Sequence, residues 1–325
     1  MSLSVSDPHG PLRRQPPQRA FLCGGLCLPI LVLLCLAGVP LPASGGQPGA
    51  AQFQKWYREL RELEPRSPFG VPLRIQSEER SDRVTVEMHG IIEYPFDAVK
   101  AALSTPAALC EFVSLNVTVK ACTHQRQAQD VLLTLYFGWK HYQEPRDAAS
   151  QPYRHVVQAG ESGAVSVVLG ALKGLFGTSA HRMELDAAGV EERTVLVLRS
   201  FYVQTAASKM ATTIYLATLG RDKVGFSRED AGPGLRPGYV KGLRGMVERS
   251  VMRYYLALEA YLGTETVPAA RRLEARVNAA YDLMERYPLQ LHDLDRAEFL
   301  DSKRRERENQ LHLQQKLTGA PPTAN

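Results

Sequence analysis

The stretch from Tyr239 to Leu262 restricts the possible folds more than any other part of the chain. Val240, Leu243, Val247, Val251, Tyr254, Leu258 and Tyr261 recur at steps of three and four, the repeat of one helical face. Lys241, Arg244, Glu248, Arg249, Arg253 and Glu259 occupy other angles, and Gly263 supplies a C-terminal stop. An apolar stripe of this length needs a surface to lie on. The segments ahead of it read mostly as strands, so the helix is expected to cover a curved sheet.

Composition limits what else the chain can be. At 325 residues it exceeds a typical single domain, but a leader and a charged tail leave one core domain plus helical additions. The hydrophobic share of 44% is that of a globular protein. A formal charge of +5 is too mild to suggest nucleic acid, and a general attraction to acidic membrane surfaces is not diagnostic at this level.

The N-terminus sets Arg13, Arg14 and Arg19 before the apolar run FLCGGLCLPILVLLCLAGVPLPAS, Phe21 to Ser44. A basic flank, an apolar centre and the small residues Ala43, Ser44 and Gly45 have the layout of a secretory signal. The run also approaches the ~20 residues that span a bilayer, so a cleaved signal and an uncleaved anchor both stand. Either way the arginines stay inside and the remainder is exported. Val32, Leu33 and Leu34 precede Cys35, where a lipidated cysteine would want small residues. Three of the five cysteines lie in this leader, leaving Cys110 and Cys122. In an oxidising compartment these two can pair, and two buried free thiols are the alternative. Asn116, Val117 and Thr118 form a glycosylation sequon.

Residues 45–66 read as a linker and a short amphipathic helix, with Phe53, Trp56, Tyr57, Leu60 and Leu63 on one side and Pro65 ending it. RVTVEMHGIIEY opens a run of alternation. YPFDAVKAALSTPAALCEFVS follows and is helical by composition. LNVTVKACT is a second expected strand, with Leu115, Val117 and Val119 on one face, and a third runs from Val131 to Tyr142. YRHVVQA, AVSVVLG, HRMELDA and ERTVLVLRSFYVQT suggest four more. In the last of these Arg199 falls in a row with Val195, Val197, Phe201 and Val203. An unpaired charge there is costly, so Arg199 reads either as an anchor for a ligand headgroup or as one half of a salt bridge. AASKMATTIYLATLG looks helical, and a Gly/Pro-rich turn then leads to the long helix.

This order resembles the START-like, Bet v 1-like helix-grip superfamily, which includes polyketide cyclases and lipid-transfer proteins. The resemblance rests on Val84 to Leu262: a strand entering IIEYPFDAVKAALSTPAALCEFVSLNVTVKAC, an antiparallel meander, then the terminal helix. The phrase Tyr94, Pro95, Phe96, Asp97, Ala98, Val99 is its most family-like piece. It implies an α+β helix-grip fold, a curved antiparallel sheet wrapped on a long C-terminal helix. It also implies a hydrophobic cavity between sheet and helix, suited to a lipid or polycyclic ligand. The START-like domain is assigned to residues 67–263. The signal or anchor takes 1–44 and the C-terminal helical extension with a disordered end 264–325. In that extension Asp295 and Glu298 fit a capping box, and DSKRRERENQLHLQQKL reads as a solvated helix.

The search for catalytic motifs is negative: no GxSxG, no HExxH, no CxxC beyond the leader, and eight histidines without metal-ligand spacing. GALKGLFGTS lacks the Gly-Lys-Ser/Thr ending of a phosphate loop and reads as a lip over the cavity mouth or as a plain hairpin connection. His141, Tyr142, Arg199, Tyr202, Arg244 and Glu248 are the candidate ligand-binding residues, with no cofactor, no metal and no nucleic acid expected. The favoured function is a non-catalytic carrier or sensor of a hydrophobic small molecule or lipid. It would be exported to the periplasm or anchored facing it, with membrane association through the N-terminal segment. A cyclase- or hydrolase-like enzyme using the same cavity, and an envelope interaction protein acting through its C-terminal helices, remain open.

Overall fold

The computed structural model describes residues 47–160, 163–217, 223–229 and 238–319. The leader at 1–44, most of the Gly/Pro-rich turn at 232–238 and the end of the tail lie outside those residues. Eight strands form one antiparallel sheet: β1 (Leu73–Glu79), β2 (Arg83–Ile92), β3 (Val119–Gln127), β4 (Asp130–Phe137), β5 (Ala149–Ala159), β6 (Val165–Lys173), β7 (Ser179–Val190) and β8 (Arg193–Val203). Their spatial order is β1-β2-β8-β7-β6-β5-β4-β3. Helices α1 (Ala50–Leu63), α2 (Phe96–Ser104), α3 (Pro106–Val113), α4 (Ala206–Ala217), α5 (Gly242–Leu262), α6 (Ala269–Met284), α7 (Pro288–Leu291) and α8 (Arg296–Thr318) complete the described chain. None of them is long and apolar enough to cross a membrane.

Alternation decides which face of the sheet each side chain serves. On β2, Val84, Val86, Met88 and Ile92 join the core under α5, as do Leu196 and Leu198 of β8. The residues between them, Ile91, Val195 and Val197, look outward and form a second core with Phe53, Trp56, Tyr57 and Leu60 of α1. Tyr57 also donates a 2.6 Å hydrogen bond to Glu191 in the β7–β8 turn. The sheet is thus covered on both sides where β2 and β8 cross it. The outer cover explains why β8 reads as a nearly continuous apolar run.

Helix α5 is buried over most of its circumference, more than its stripe predicted, because α3 and α6 pack on the sides that do not face the sheet. Gly90 permits the crossing: a Cβ there would lie 3.0 Å from the Tyr255 ring. Pro106 opens α3 one residue after α2 ends, and Cys110 of α3 is joined by a disulfide to Cys122 of β3.

Three local expectations need correction. The strand placed at LNVTVKACT begins only at Val119, because residues 115–118 form a buried turn in which Asn116 Oδ1 accepts from the Thr118 amide and hydroxyl. At 1% exposure Asn116 is closed to a glycan in the folded chain. The strand expected to reach Tyr142 ends at Phe137, and β1 was not anticipated. Residues 296–318 do not form a solvated helix. Asp295 caps α8 by accepting from Glu298 N, and one polar face of the helix lies against the free edge of β3. Gln310 Oε1 accepts from Cys122 N (2.8 Å). Gln314 accepts from His124 N and donates to His124 O (both 2.8 Å). Lys303 donates to the carbonyls of Ser114, Asn116 and Val119. Side chains of a helix therefore take the place of a ninth strand.

Candidate functional site

Strand β1 runs along a large hollow. Its alternation sends Leu73 and Ile75 under α5 and leaves Gln76 and Glu78 exposed. The hollow, about 1260 Å³, runs beside this strand and is lined by every residue from Leu73 to Glu78. Phe69, Val86 and Phe226 extend the apolar wall, and Thr85, Glu87 and Phe201 carry the groove onto the outer face. Beneath the middle of α5 the space is filled instead: Met88, Leu196, Met252 and Tyr255 are all at most 1% exposed.

Polar groups cross the groove at the start of α5. Ser77 Oγ donates to Glu248, and Arg244 Nε donates back to Ser77 Oγ at 3.2 Å. Glu248 also accepts from Phe226 N (2.7 Å), Ser227 N (2.8 Å) and Ser227 Oγ. Four donors on one fully buried carboxylate make it a tie that fixes residues 226–227 beside β1, with little lone-pair capacity left for proton transfer. Six arginines and three glutamates line the groove. Arg244 reaches Glu229 (3.2 Å). Arg228 lies over the Tyr239 ring at 5.2 Å, and neither it nor Arg74 has a carboxylate partner among the described residues.

The remaining candidates take no part in this tie. Arg199 lies on the outer face, bonded to Glu87 (3.1 Å) and Asp186 (2.5 Å), so the salt-bridge reading is the one its geometry matches. The hydrogen bond from His89 and the nearby Arg199 hold the Glu87 carboxyl down at about 2, against the opposing effect of burial. Tyr202 is on the inner face, two residues past the groove-lining Ser200, and stacks on His181 with ring centroids 5.1 Å apart. Tyr153 flanks that pair. Burial pushes His181 down to about 4 and raises the Tyr202 and Tyr153 hydroxyls. His141 and Tyr142 lie in the β4–β5 loop against α8, His141 touching Glu298 and Tyr142 stacked under Arg305. Of the six candidates the structure brings together Arg244 and Glu248, sets Tyr202 nearby, leaves Arg199 in its ion pairs on the outer side of the same groove, and separates His141 and Tyr142. Arg74, Ser77, Phe226 and Arg228 were missed. Leu73 and Ile75 alternate over too few residues to signal a strand, and nothing local marks 226–228 as its neighbour.

The inner face of the sheet grips α5, and two short helices interrupt the connection from β2 to β3. This is the helix-grip fold. No protein-family model matches the chain, and no curated protein matches it. Solved structures similar to it include the human StAR-related lipid transfer protein 5, 10% identical over 66% of this chain and 96% of that one, TM-score 0.36. The ZhuI aromatase/cyclase of a Streptomyces species is 18% identical over 58% and 98%, TM-score 0.35. A STAR-related lipid transfer protein of Xanthomonas axonopodis is 10% identical over 45% and 86%, TM-score 0.34. Against the minimal helix-grip pattern this chain adds α1 on the outer face, α4 between β8 and α5, and α6 to α8 after it. Among the described residues no group of three or more His, Cys, Asp or Glu is set to hold a metal.

Proposed function

We propose that this protein is a non-catalytic carrier or sensor that holds a hydrophobic molecule bearing an acidic group in the groove along β1, rather than under the middle of α5. One observation carries the reading. A hollow of about 1260 Å³ combines an apolar wall of Leu73, Ile75, Val86 and Phe226 with Arg74 and Arg228, two cations without carboxylate partners among the described residues. Concave, mostly apolar sites with a few placed polar groups are the usual form of a small-molecule site. The Cys110–Cys122 disulfide and the basic, apolar layout of residues 13–44 support work outside the reducing cytoplasm, in the periplasm or facing it. The enzymatic alternative draws less support, because Glu248, the fully buried carboxylate at the start of α5, is saturated by donors. So does action through the C-terminal helices, since a polar face of α8 is spent on β3.

Native mass spectrometry with lipid extraction, on protein made in an exporting host, tests the proposal. An acidic apolar molecule should co-purify, and it should be lost from the Arg74→Glu, Arg228→Glu double variant. Protein that is repeatedly empty, or a ligand retained by that variant, would overturn it.

A further inference from the structure

The two edges of the sheet are treated differently. At β3 the edge groups Val119 O, Cys122 N, His124 N and His124 O are met by Lys303, Gln310 and Gln314 of α8. At β1 the opposite holds. Ile91 N donates to Pro72 O and Arg80 N to Arg83 O. Hydrogen-bonded pairs alternate along an antiparallel ladder, so Arg74, Gln76 and Glu78 also turn their amides to β2. The amides and carbonyls of Leu73, Ile75 and Ser77 then point the other way, into the groove, and have no backbone or side-chain partner among the described residues. Consecutive residues from Leu73 to Glu78 line the hollow, as they do when a cavity meets a strand edge-on. An unpaired edge of this kind is a template for another strand.

We propose that the β1 groove takes an extended peptide segment by strand addition, and that the segment alternates apolar and acidic side chains. The proposal rests on the reading that this groove is the protein's binding site, and it goes beyond that reading by adding a second class of occupant. Three geometric facts support it. A strand rises about 3.3 Å per residue, so the edge from Leu73 to Glu78 offers roughly 20 Å of pairing. Phe69 and Phe226 form the apolar wall facing that edge. Arg74 on one side of the strand and Arg228 across the groove supply the charge that selects acidic over basic residues. The tie from Glu248 to Ser77, Phe226 and Ser227 keeps the two walls at a fixed separation before any partner arrives.

The test uses the full chain and two fluorescent probes: a fluorescein-labelled short peptide alternating glutamate and valine, and a fluorescent long-chain fatty acid. The peptide should bind. A version N-methylated at every second residue should bind about tenfold or more weakly, as should a lysine–valine peptide and the Arg74→Glu, Arg228→Glu variant. Hydrogen exchange at the amides of Leu73, Ile75 and Ser77 should slow when the peptide is added. Equal binding of the N-methylated peptide overturns strand addition. Fatty-acid binding without peptide binding overturns the peptide proposal and leaves the proposed function standing; failure of both probes overturns both. Protection at β1 that appears without peptide and grows with protein concentration assigns the edge to a second copy of this chain and also overturns the proposal.

Discussion

At the scale of single residues, the groups that matter most are charged and buried. Lys120 and Lys303 share one carboxylate, each 2.7 Å from an oxygen of Glu306, with all three side chains at most 3% exposed. Breaking a buried ion pair from one side leaves charge unpaired and costs about 3–5 kcal/mol. Glu306→Gln should therefore lower stability in urea unfolding by that order, since two lysines would be stranded; a loss under 1 kcal/mol would show that the cluster is hydrated. His181 gives the pH dependence. Its folded value is about 4 against an ordinary 6.5, so the unfolded chain takes up the proton first on acidification. Stability should be complete above about 6.5, fall by about 3 kcal/mol as pH drops towards 4, and show no further loss from this group below that. His181→Phe should flatten that interval in thermal melts, and an unchanged slope would mean the imidazole is solvated.

Elements show what the sequence could and could not reveal. The α5 stripe, the apolar stripe of α1 and the alternation of β8 were legible, because each repeats over several turns or residues and serves one surface. Arg199 was legible as an anomaly and its partner was not, because Asp186 and Glu87 come from two other strands. Helix α8 was misread for a physical reason: its buried face is built from Lys303, Glu306 and Gln310, which satisfy backbone groups rather than an apolar core, so no hydrophobic period appears. That account predicts a cost for removing the amides. Gln310→Leu with Gln314→Leu leaves the Cys122 and His124 amides of β3 unpaired, at about 1–3 kcal/mol for each buried group. Stability should drop by roughly 2–4 kcal/mol and exchange at those amides should quicken. If exchange there is unchanged, α8 does not protect the edge.

At the scale of the whole molecule, the additions to the helix grip are part of one structure. Val277, Met284, Leu294 and Phe299 belong to the same core as α5 and the inner sheet, and α1 builds the outer core, so residues after 263 are not a detachable tail. The disulfide closes a short loop, with a separation of 12 residues between Cys110 and Cys122, and a loop of that length is worth about 2–3 kcal/mol through the unfolded chain. Reductant should lower the melting temperature of the native chain and leave a Cys110→Ser, Cys122→Ser variant unaffected; equal melting with and without reductant would mean that the bond does not form in solution. The middle of α5 is tightly packed, and the open volume lies at the sheet edge. Equilibrium binding of the fluorescent fatty acid, measured on the native chain, on a variant that places bulk in the groove and on a variant that trims the inner face, tests this placement most directly. The account predicts that Gln76→Trp, which fills the groove from an exposed position on β1, abolishes binding while Tyr202→Phe, on the inner face beyond the groove, leaves it intact. Binding that survives Gln76→Trp and is lost on Tyr202→Phe would contradict it and return the site to the space beneath α5.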